Sequence, residues 1–348
     1  MITVGRLLKN VPLSDRTNSF YHMLYMARAF DVDLFLFAPK DVDWTKQEIN
    51  GIFFENGDIY RKIVPIPPLV DNQFNLIDKE LAPYTLLTRK SLGLSKYTAY
   101  KALAEAKTDQ FKNMLIPTKL LKKFEDLKNA LDEWQGEVVV KPCNGENGNG
   151  VVKIQQKNNQ YFMTIGAEKK ELDLPKLKDY YTKLSKEHLV QPVIDCRTRN
   201  GEPFDIRVRC CRNAVNGEFV VNLYPRIGNA NGMVSNIHTG GYSMPCELFL
   251  KNEFDSEWSE IQERLIRFGK EFPAYYQSFC RNPIFEIGLD VSINTDKEGK
   301  RKFWLFEANS FPTGTINLGG NVGTNLIMAY FQYYHSVYKH YIPKNIAS

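Results

Sequence analysis

One stretch decides the fold: Phe303-Trp304-Leu305-Phe306-Glu307-Ala308-Asn309-Ser310-Phe311-Pro312. It is an apolar run of the kind that forms a strand, and it ends in polar side chains. Successive side chains of a strand point to opposite faces, so Glu307 and Asn309, two residues apart, point the same way. The stretch therefore predicts a strand that presents a carboxylate and an amide oxygen on one face.

A second strand is predicted just upstream, in Ile284-Phe285-Glu286-Ile287-Gly288-Leu289-Asp290-Val291. Its side chains alternate between an apolar face and a polar face, with Ile287, Leu289 and Val291 on the first and Glu286, Gly288 and Asp290 on the second. Residues 296–299, with the sequence Asp-Lys-Glu-Gly, are typical of the turn that would join the two strands. In such a hairpin Asp290 would lie across from about Leu305 and diagonal to Glu307, at roughly 7–8 Å.

Oxygen ligands on one face of this hairpin suit a hard cation. The carboxylates of Asp290 and Glu307 and the amide oxygen of Asn309 are the ligand types with which Mg²⁺ is held against phosphate oxygens. The residues of the hairpin leave one alternative open, a hairpin whose polar face is simply wet. The other motifs of the chain weigh against that alternative.

The composition is that of a folded protein with no strong charge bias. The chain has 348 residues, 43% hydrophobic and 24% charged, and a formal net charge of +5 at pH 7. This length exceeds one ordinary core, so we expect two or three α/β subdomains. No N-terminal apolar run suits a signal peptide or a spanning helix, and the cysteines lack Cys-x-x-Cys spacing. We expect a cytoplasmic protein with neither a nucleic-acid nor a membrane partner.

The N-terminal part has the pattern of a small α/β unit. Residues 2–8 and 33–38 are apolar enough for strands of a parallel sheet, and residues 19–30 form an amphipathic helical pattern between them. No Gly-x-Gly-x-x-Gly follows the first strand, which argues against a Rossmann-type dinucleotide site. The proline-rich residues 65–83 suggest an irregular linker, and residues 90–106 are helical in character.

A glycine-rich loop follows a strand that ends in a lysine. The strand ends at Lys141, and the chain passes Gly145, Gly148 and Gly150 before a new strand begins at residue 151. Glycine lets the backbone approach an anion and point N–H groups at it. No Gly-Lys-Ser/Thr is present, so this is not a P-loop. Two interpretations stay open, a hairpin flap over a nucleotide and a long mobile hairpin.

Two arginines are predicted to face each other across a further hairpin. Residues 204–210 alternate apolar and charged side chains, and Asn216-Gly217 favours a two-residue type I′ turn. Counting outward from that turn gives these cross-strand pairs: Arg209 with Tyr224, and Arg207 with Arg226. Like charges directly across a sheet are destabilising unless an anion lies between them. A triphosphate or an acyl phosphate would serve, bound by guanidinium forks. Asp205 is the open alternative for that anion.

The order of these features resembles the ATP-grasp superfamily and, within it, the branch of YheC/YheD-like proteins named as endospore coat-associated. Each motif alone is common, but five of them in this order are specific, and they cover the chain from about residue 89 onward. The motifs are Gln191-Pro192-Val193-Ile194-Asp195, Gly201-Glu202-Pro203-Phe204-Asp205-Ile206-Arg207-Val208, Ser235-Asn236-Ile237-His238-Thr239-Gly240-Gly241, Glu286-Ile287-Gly288-Leu289-Asp290 and Glu307-Ala308-Asn309.

The resemblance implies an α/β fold of the α+β ATP-grasp type. It places an N-terminal α/β domain that precedes the ATP-grasp unit in residues 1–85. A small ATP-grasp subdomain with the glycine-rich flap would occupy residues 86–188. The C-terminal subdomain, with the metal and phosphate site, would occupy residues 189–348, and the two subdomains would clamp the nucleotide between them.

The resemblance also implies a role for each matching residue. Lys96 and Lys141 match the two nucleotide lysines, and the nucleotide site would further include Gly145, Gly148, Gly150, the hinge residues Val190, Gln191 and Val193, and Asp195 for the ribose. The magnesium ligands would be Asp290, Glu307 and Asn309. The catalytic group would comprise Arg207 and Arg226 near the γ-phosphate, with Asn236 and His238. Phe311-Pro312-Thr313-Gly314 departs from the family pattern, which leaves the acceptor side of the site undefined.

The implied activity is that of an ATP-dependent carboxylate-amine ligase that uses ATP and Mg²⁺. A substrate carboxylate would attack ATP to give an acyl phosphate, and an amine would then displace phosphate. The partners would be small-molecule or peptide carboxylates and amines, with a homo-oligomer and an association with spores left open. Two alternatives stay open: an ATP-binding coat-associated scaffold without turnover, and an ATP-grasp kinase of a hydroxyl substrate.

Overall fold

The structure, a computed structural model, describes residues 1–11, 18–55, 57–72, 76–145, 148–158, 160–184, 186–214, 216–230, 232, 235, 240–296, 298–312 and 321–341. Within these residues the chain forms three β-sheets with helices packed against them. The mixture of helix and strand confirms the predicted α/β class.

The N-terminal sheet contains the first seven strands. They are β1 (Ile2–Leu7), β2 (Val32–Phe37), β3 (Val42–Asp43), β4 (Glu48–Glu55), β5 (Asp58–Pro65), β6 (Leu69–Asn72) and β7 (Leu86–Leu87), with helices α1 (Asn18–Ala29) and α2 (Asp78–Leu81). Strands β2, β1, β6 and β7 are parallel neighbours, whereas β3, β4 and β5 are added antiparallel. The predicted strands at 2–8 and 33–38 and the helix at 19–30 are confirmed.

The predicted linker at residues 65–83 is wrong in part. Strand β6 lies inside it and pairs with β1, so Arg6 and Asp71 become neighbours in the sheet. All four residues of β6 are buried, including Asp71 and Asn72. A strand this short, buried on both faces and half polar, shows neither alternation nor an apolar run, so the sequence carries no signal for it.

The small sheet is antiparallel and has its own core. Its strands are β8 (Lys119–Leu121), β9 (Glu137–Pro142), β10 (Val152–Lys157), β11 (Gln160–Ile165), β12 (Glu168–Leu172) and β13 (His188–Pro192), in the order β12-β11-β10-β9-β13-β8. Helices α4 (Phe124–Glu133) and α5 (Leu174–Thr182) cover it with apolar residues such as Leu127 and Leu177. Before it comes α3 (Lys96–Ala104), which begins later than predicted because Ser95 caps it by accepting from the Thr98 N–H.

The central sheet has the order β15-β14-β16-β17. Its strands are β14 (Phe204–Arg212), β15 (Phe219–Ile227), β16 (Glu286–Thr295) and β17 (Arg301–Asn309), and helices α6 (Cys246–Phe254) and α7 (Trp258–Tyr276) lie between β15 and β16 in the chain. Ile206, Val208 and Leu289 face the core shared with these two helices. Gly269 of α7 packs so closely that a Cβ there would lie 2.7 Å from Val208 Cγ1, so the helix contacts the sheet directly.

The last described helix, α8 (Asn321–Tyr341), joins two of these layers. Leu326, Tyr330 and Phe331 are buried in one core with residues of α1, β1 and β2, and with Cys211 and Phe285 of the central sheet region. None of the described helices combines the length and apolarity needed to cross a membrane. The domain boundaries given above stay predictions.

The predicted register of the arginine hairpin is wrong by two residues. Strand β14 ends at Arg212 and β15 starts at Phe219, so residues 213–218 form a longer connection than the two-residue turn that Asn216-Gly217 suggested. The observed pairs are Arg207 with Tyr224, Arg209 with Asn222, and Asp205 with Arg226. Two residues is the side-chain period of a strand, so Arg207 and Arg226 still share a face.

The hairpin of β16 and β17 contains a β-bulge that the sequence did not indicate. Val291 pairs with Leu305, whereas Asp290 pairs with Glu307, so Phe306 is one extra residue on β17. The prediction that Asp290 lies across from Leu305 is therefore wrong. The bulge changes the side-chain parity of the strand, because Leu305 is in the core while Glu307 is on the opposite face with Asp290. Asp290 is only 5% exposed, whereas Glu307 is partly exposed, so this face is buried at Asp290 and accessible at the end of β17.

Candidate functional site

Asp290 is the centre of a buried cluster of charges on the face of the central sheet opposite to α6 and α7. Arg207, its neighbour on β14, donates from Nε to Oδ1 and from Nη2 to Oδ2 at 3.1 Å. Arg226 Nη2 lies 2.9 Å from the same Oδ2, and Asn309 Nδ2 donates to it at 3.1 Å. Burial would raise the pKa of Asp290, but Arg207 and Arg226 hold this pKa below its ordinary value.

Asp205 is the main partner of Arg226. The guanidinium donates from Nε to Oδ1 and from Nη2 to Oδ2, each at 2.6 Å, and the Ser235 hydroxyl also donates to Oδ2. Burial raises the pKa of Asp205, and the Arg226 charge opposes this rise. The alternative that Asp205 is the anion beside the arginines is confirmed for Arg226. The sequence signal for this role is an aspartate two residues before Arg207 on the same face of the strand.

Both arginines keep one donor edge free among the residues that the structure describes. Nε and Nη2 of Arg207 and of Arg226 are used by carboxylates, and no described acceptor contacts either Nη1. Gly288 makes room beside Arg207, since a Cβ there would lie 3.1 Å from Arg207 Cδ and 2.7 Å from Pro312 Cβ. The cluster therefore fixes two guanidinium planes and leaves their Nη1 groups available to a ligand.

Lys96 connects three parts of the site. It is the first residue of α3, and its Nζ donates to the Gly145 carbonyl at 2.7 Å and lies 3.0 Å from Glu307 Oε1. Its backbone N–H donates to the Cys143 carbonyl at 3.0 Å. The helix, the glycine-rich loop and the end of β17 are thus held together at one lysine.

Lys141 lies on β9 beside this junction and is half-buried. Burial is the main cause that lowers its pKa to about 8, and the nearby Lys96 lowers it further, whereas Glu307 and Asp290 oppose the shift. This ammonium group loses its proton at a lower pH than an ordinary lysine does, and an anion bound beside it would favour its charged form.

The glycine-rich loop is a hairpin, as predicted. Strands β9 and β10 pair antiparallel, with Val140 opposite Val152. Gly148 and Gly150 have φ of 72° and 78°, which few other residues adopt, and a Cβ at Gly150 would lie 2.9 Å from Pro142 Cγ. The tip, residues 146–147, lies outside the described residues. The role of Gly145, Gly148 and Gly150 toward a nucleotide stays a prediction.

The predicted hinge residues lie at and after the end of β13. Val190 points into the core of the small sheet, and Gln191 Nε2 donates to Thr118 Oγ1 at 2.7 Å. Beyond Val190, no described strand pairs with β13 on the β8 side, and the role of Gln191 and Val193 as a hinge that reads adenine stays a prediction. Asp195 is exposed and accepts from Arg197 Nε at 3.1 Å. The predicted catalytic residues Asn236 and His238 lie outside the described residues.

The three predicted magnesium ligands come together on one face. Asp290 and Glu307 are opposite each other, and Asn309 is opposite Gly288. Glu307 is partly exposed, and Asn309 donates through its nitrogen to Asp290, so its amide oxygen is not used in that bond. Asp290 already accepts from three nitrogens at Oδ2 and would have to exchange one of them. The oxygen donor set fits Mg²⁺, with Glu307 and Asn309 the most accessible ligands.

A second buried charge network shares this face of the central sheet and was missed in the sequence. Its members come from β1, β6, the segment after β7, β14, β16 and α8: Arg6, Asp71, Arg89, Arg209, Glu286, Tyr330 and Tyr334. Arg89 bridges the N-terminal sheet and the central sheet, since it contacts Asp71 through Nη1 and lies 2.8 Å from Glu286 Oε2 through Nη2. Burial would raise the pKa of Glu286, but Arg209 and Arg89 keep it below its usual range.

Comparison with known proteins agrees with this architecture. The chain is 23% identical over 329 residues to the endospore coat-associated protein YheD of Bacillus subtilis (strain 168), covering 88% of this chain and 70% of YheD. It is 23% identical over 207 residues to YheC of the same organism, covering 58% of this chain and 55% of YheC, about half of that relative. The N5-carboxyaminoimidazole synthetase of Staphylococcus aureus, solved with ADP, is similar with a TM-score of 0.50 at 11% identity, covering 94% of this chain and 73% of the synthetase.

A match to a protein-family model shows the family of this chain. The YheC/D-like ATP-grasp family model matches residues 86–334, well over half of the chain. This range contains the two lysines, the arginine and carboxylate cluster, and the strands β16 and β17 that carry the predicted metal ligands. The predicted family and the predicted ATP-grasp fold are confirmed, and the chain belongs to the YheC/D-like ATP-grasp family.

Proposed function

We propose that this chain is an ATP-dependent carboxylate-amine ligase. ATP would lie between the small sheet and the central sheet, and its γ-phosphoryl group would pass to a substrate carboxylate, releasing ADP. The resulting acyl phosphate would be attacked by an amine, which forms the amide bond and releases phosphate and a proton. Each step conserves atoms and charge without a covalent bond to the protein.

The observation that carries this proposal is the position of four cations around two carboxylates that are opposite each other in the sheet, Glu307 and Asp290. Lys96 and Lys141 approach Glu307 from the side of the small sheet, and the charged cluster of Arg207 and Arg226 lies on the central sheet beside it. Lysine ammonium groups and guanidinium forks are the groups with which proteins bind polyphosphates. A triphosphate laid across this face would meet all four.

The residues of the chain can supply most of what phosphoryl transfer requires. The free Nη1 groups of Arg207 and Arg226 are donors in fixed positions, which suits the charge that develops on a transferring phosphoryl group. Glu307, Asn309 and Asp290 would hold Mg²⁺, which when bound neutralises phosphate charge and orients the phosphate oxygens. Positioning and electrostatics are sufficient for this chemistry, so a nucleophilic side chain is not needed.

A second candidate function is an ATP-binding scaffold without turnover. The names of YheD and YheC, both called endospore coat-associated, favour it. The presence of both lysines and of the full charged cluster weighs against it, because a site that had lost turnover would be expected to have lost at least one of these charges. ADP in the Staphylococcus aureus synthetase supports nucleotide binding in this fold under either candidate.

The test measures binding first and turnover second. Titration calorimetry with ATP, with and without Mg²⁺, should show affinity that depends on the metal. The protein is then incubated with ATP, hydroxylamine and pools of carboxylates, and ADP and hydroxamate are measured together. We expect both products in equal amounts from the wild type and neither from Glu307→Ala, while Glu263→Ala, an exposed glutamate on α7, behaves as the wild type.

Other outcomes separate the candidates. A stable phosphate ester without hydroxamate would identify a kinase of a hydroxyl substrate. Tight binding of ATP with no pool raising ADP release above that of Glu307→Ala would identify the scaffold. Equal affinity for ATP in Mg²⁺ and in EDTA would contradict the metal assignment.

A further inference from the structure

We propose that Asp205 is a positioning residue that holds Arg226 toward the γ-phosphate of ATP and so enables the site to distinguish ATP from ADP. The inference rests on the proposed function, because it assumes that the arginines face the terminal phosphate. Neither the predicted ligands nor the predicted catalytic group includes Asp205.

The first argument is the geometry of the pair. Asp205 and Arg226 are directly opposite on β14 and β15, and two parallel bonds of 2.6 Å join the carboxylate to Nε and Nη2 of the guanidinium. Such a fork fixes the plane and the direction of the guanidinium, which one bond would not. The Asp205 side chain is 5% exposed and that of Arg226 is 19% exposed, so a buried anchor holds a more accessible group.

The second argument is the edge that remains. With Nε and Nη2 directed at carboxylates, Arg226 presents Nη1, which has no acceptor among the described residues. The two N–H groups of Nη1 lie in the plane set by Asp205. Asp205, and not the flexible side chain of Arg226, therefore sets the direction in which these N–H groups point.

The third argument concerns Asp290, which shares Arg226. One contact of 2.9 Å joins Arg226 Nη2 to Asp290, compared with two bonds of 2.6 Å to Asp205. Asp290 is also the predicted cation ligand and would have to release a nitrogen to serve as one. If the contact between Arg226 and Asp290 is lost when Asp290 binds a cation, Asp205 still holds Arg226 in place. The two carboxylates therefore have different roles, Asp290 as a cation ligand and Asp205 as the anchor of Arg226.

The fourth argument is the support behind Asp205. The Ser235 hydroxyl donates to Oδ2, and Phe204, next to Asp205, is packed in the core of the central sheet. A carboxylate held by a hydroxyl and by a buried strand is a rigid base for the guanidinium. Loss of that carboxylate should change where Arg226 points without removing the positive charge.

The experiment compares ATP with ADP on the full chain. Dissociation constants for Mg·ATP and Mg·ADP are measured by titration calorimetry for the wild type, Asp205→Asn, Arg226→Ala and the double variant. We expect Asp205→Asn to weaken Mg·ATP about tenfold or more, the effect of losing a hydrogen bond to a charged group. Affinity for Mg·ADP should stay within about twofold, since ADP lacks the phosphate that Arg226 would contact. In the Arg226→Ala background, Asp205→Asn should add nothing.

A control removes another arginine–aspartate pair, one that is exposed and does not belong to the charged cluster. Arg199 donates from Nη1 and Nη2 to the exposed Asp255, and Asp255→Asn should leave both affinities unchanged. Ser235→Ala, a milder change, should lower the ATP affinity in the same direction and serves if Asp205→Asn fails to fold. An Asp205→Asn protein that folds and keeps the wild-type ratio of the two affinities would overturn the inference, as would equal losses for ATP and ADP. A wild type that binds neither nucleotide would refute the proposed function itself.

Discussion

Lys141 is the residue whose charge should respond most to pH within the site. Burial lowers its pKa to about 8, so the lysine loses its charge as the pH rises through that value. A neutral lysine attracts phosphate less, and we expect the affinity for Mg·ATP to fall between about pH 7 and pH 9. Titration calorimetry across this range, with the protein kept folded, measures the effect.

The stability of the nucleotide-free protein should change in the opposite direction. The folded pKa of Lys141, about 8, is below the ordinary 10.5, so the unfolded chain binds more protons between these values. The contribution of this group to the free energy of unfolding therefore rises with pH in that window.

Lys141→Arg, which stays charged, should remove the fall in the affinity for Mg·ATP with pH. An affinity for Mg·ATP that is flat with pH in the wild type would contradict the assignment of Lys141 to the phosphate site.

At the residue scale, the sequence predicted which side chains share the site but not whom they contact. Glu307 and Asn309 share a face as strand periodicity predicts, whereas Asp290 lies opposite Glu307 because of the bulge at Phe306. The sequence leaves Asp205 as only one of two candidate anions for Arg226, because Asn216-Gly217 predicts a shorter turn than the one between β14 and β15. A register error of two residues exchanges partners while it preserves faces, and only the face is encoded by alternation.

Strand β16 depends on Gly288, the third of its residues. A Cβ there would lie 2.7 Å from Pro312 Cβ and 3.1 Å from Arg207 Cδ. The first distance is too short for two carbon atoms, so Pro312 or the strand would have to shift. We expect Gly288→Ala to lower the free energy of unfolding by about 1–3 kcal/mol, as overpacked sites do. It should also weaken Mg·ATP binding, because Arg207 is displaced from Asp290. Chemical denaturation and titration calorimetry measure the two effects.

Gly51→Ala is the matched control for this element. Its Cβ would lie 2.5 Å from Phe35 Cδ2 in the N-terminal sheet, so it overpacks a strand far from the site. It should destabilise the protein to a similar extent and leave the affinity for Mg·ATP unchanged. If Gly288→Ala loses stability but binds Mg·ATP as the wild type does, the position of Arg207 does not matter for the nucleotide.

At the element scale, local patterns predicted strands and helices but not irregularities within them. The bulge at Phe306 places Leu305 in the core and Glu307 on the opposite face, although side chains two residues apart on a regular strand share a face. The face that each of these side chains occupies depends on packing against helices α6 and α7 on one side of the sheet and on the charges on the other side. The alternation of apolar and polar residues in the sequence does not show it. The same holds for strand β6, whose pairing with β1 defines it.

The network between the N-terminal and central sheets should contribute to stability without acting on the nucleotide. Tyr334 donates its hydroxyl to Asp71 Oδ2 at 2.6 Å, and both side chains are fully buried. We expect Tyr334→Phe to lower the free energy of unfolding by about 1–3 kcal/mol, since a buried carboxylate loses one donor. The dissociation constant of Mg·ATP should stay unchanged. Urea denaturation and titration calorimetry check both values.

The control is Tyr25→Phe, at a tyrosine that is 69% exposed, which should change neither quantity. A Tyr334→Phe protein as stable as the wild type would show that Arg6 and Arg89 alone satisfy Asp71. A loss of nucleotide affinity would instead show that the two charge networks on the central sheet act together.

At the scale of the whole molecule, the sequence predicted the order of the layers but not how they are joined. The contact between Arg89 and Glu286 spans 197 positions, and that between Tyr334 and Asp71 spans 263. No periodicity or motif reports on pairs so distant, and buried arginines look like surface residues in a sequence because most arginines are exposed. Only the assembled chain shows them as partners.

The place of α8 in the chain has a consequence for biosynthesis. Tyr330 and Tyr334 are translated after all the arginines and carboxylates that they contact, and after every strand of the three sheets. Until the ribosome has passed them, the charges between the N-terminal and central sheets lack these hydroxyl donors and the apolar cover of the helix. Each sheet can form its local core as it emerges from the ribosome. The interface between the N-terminal and central sheets can be completed only after α8, the last described helix, has been synthesised.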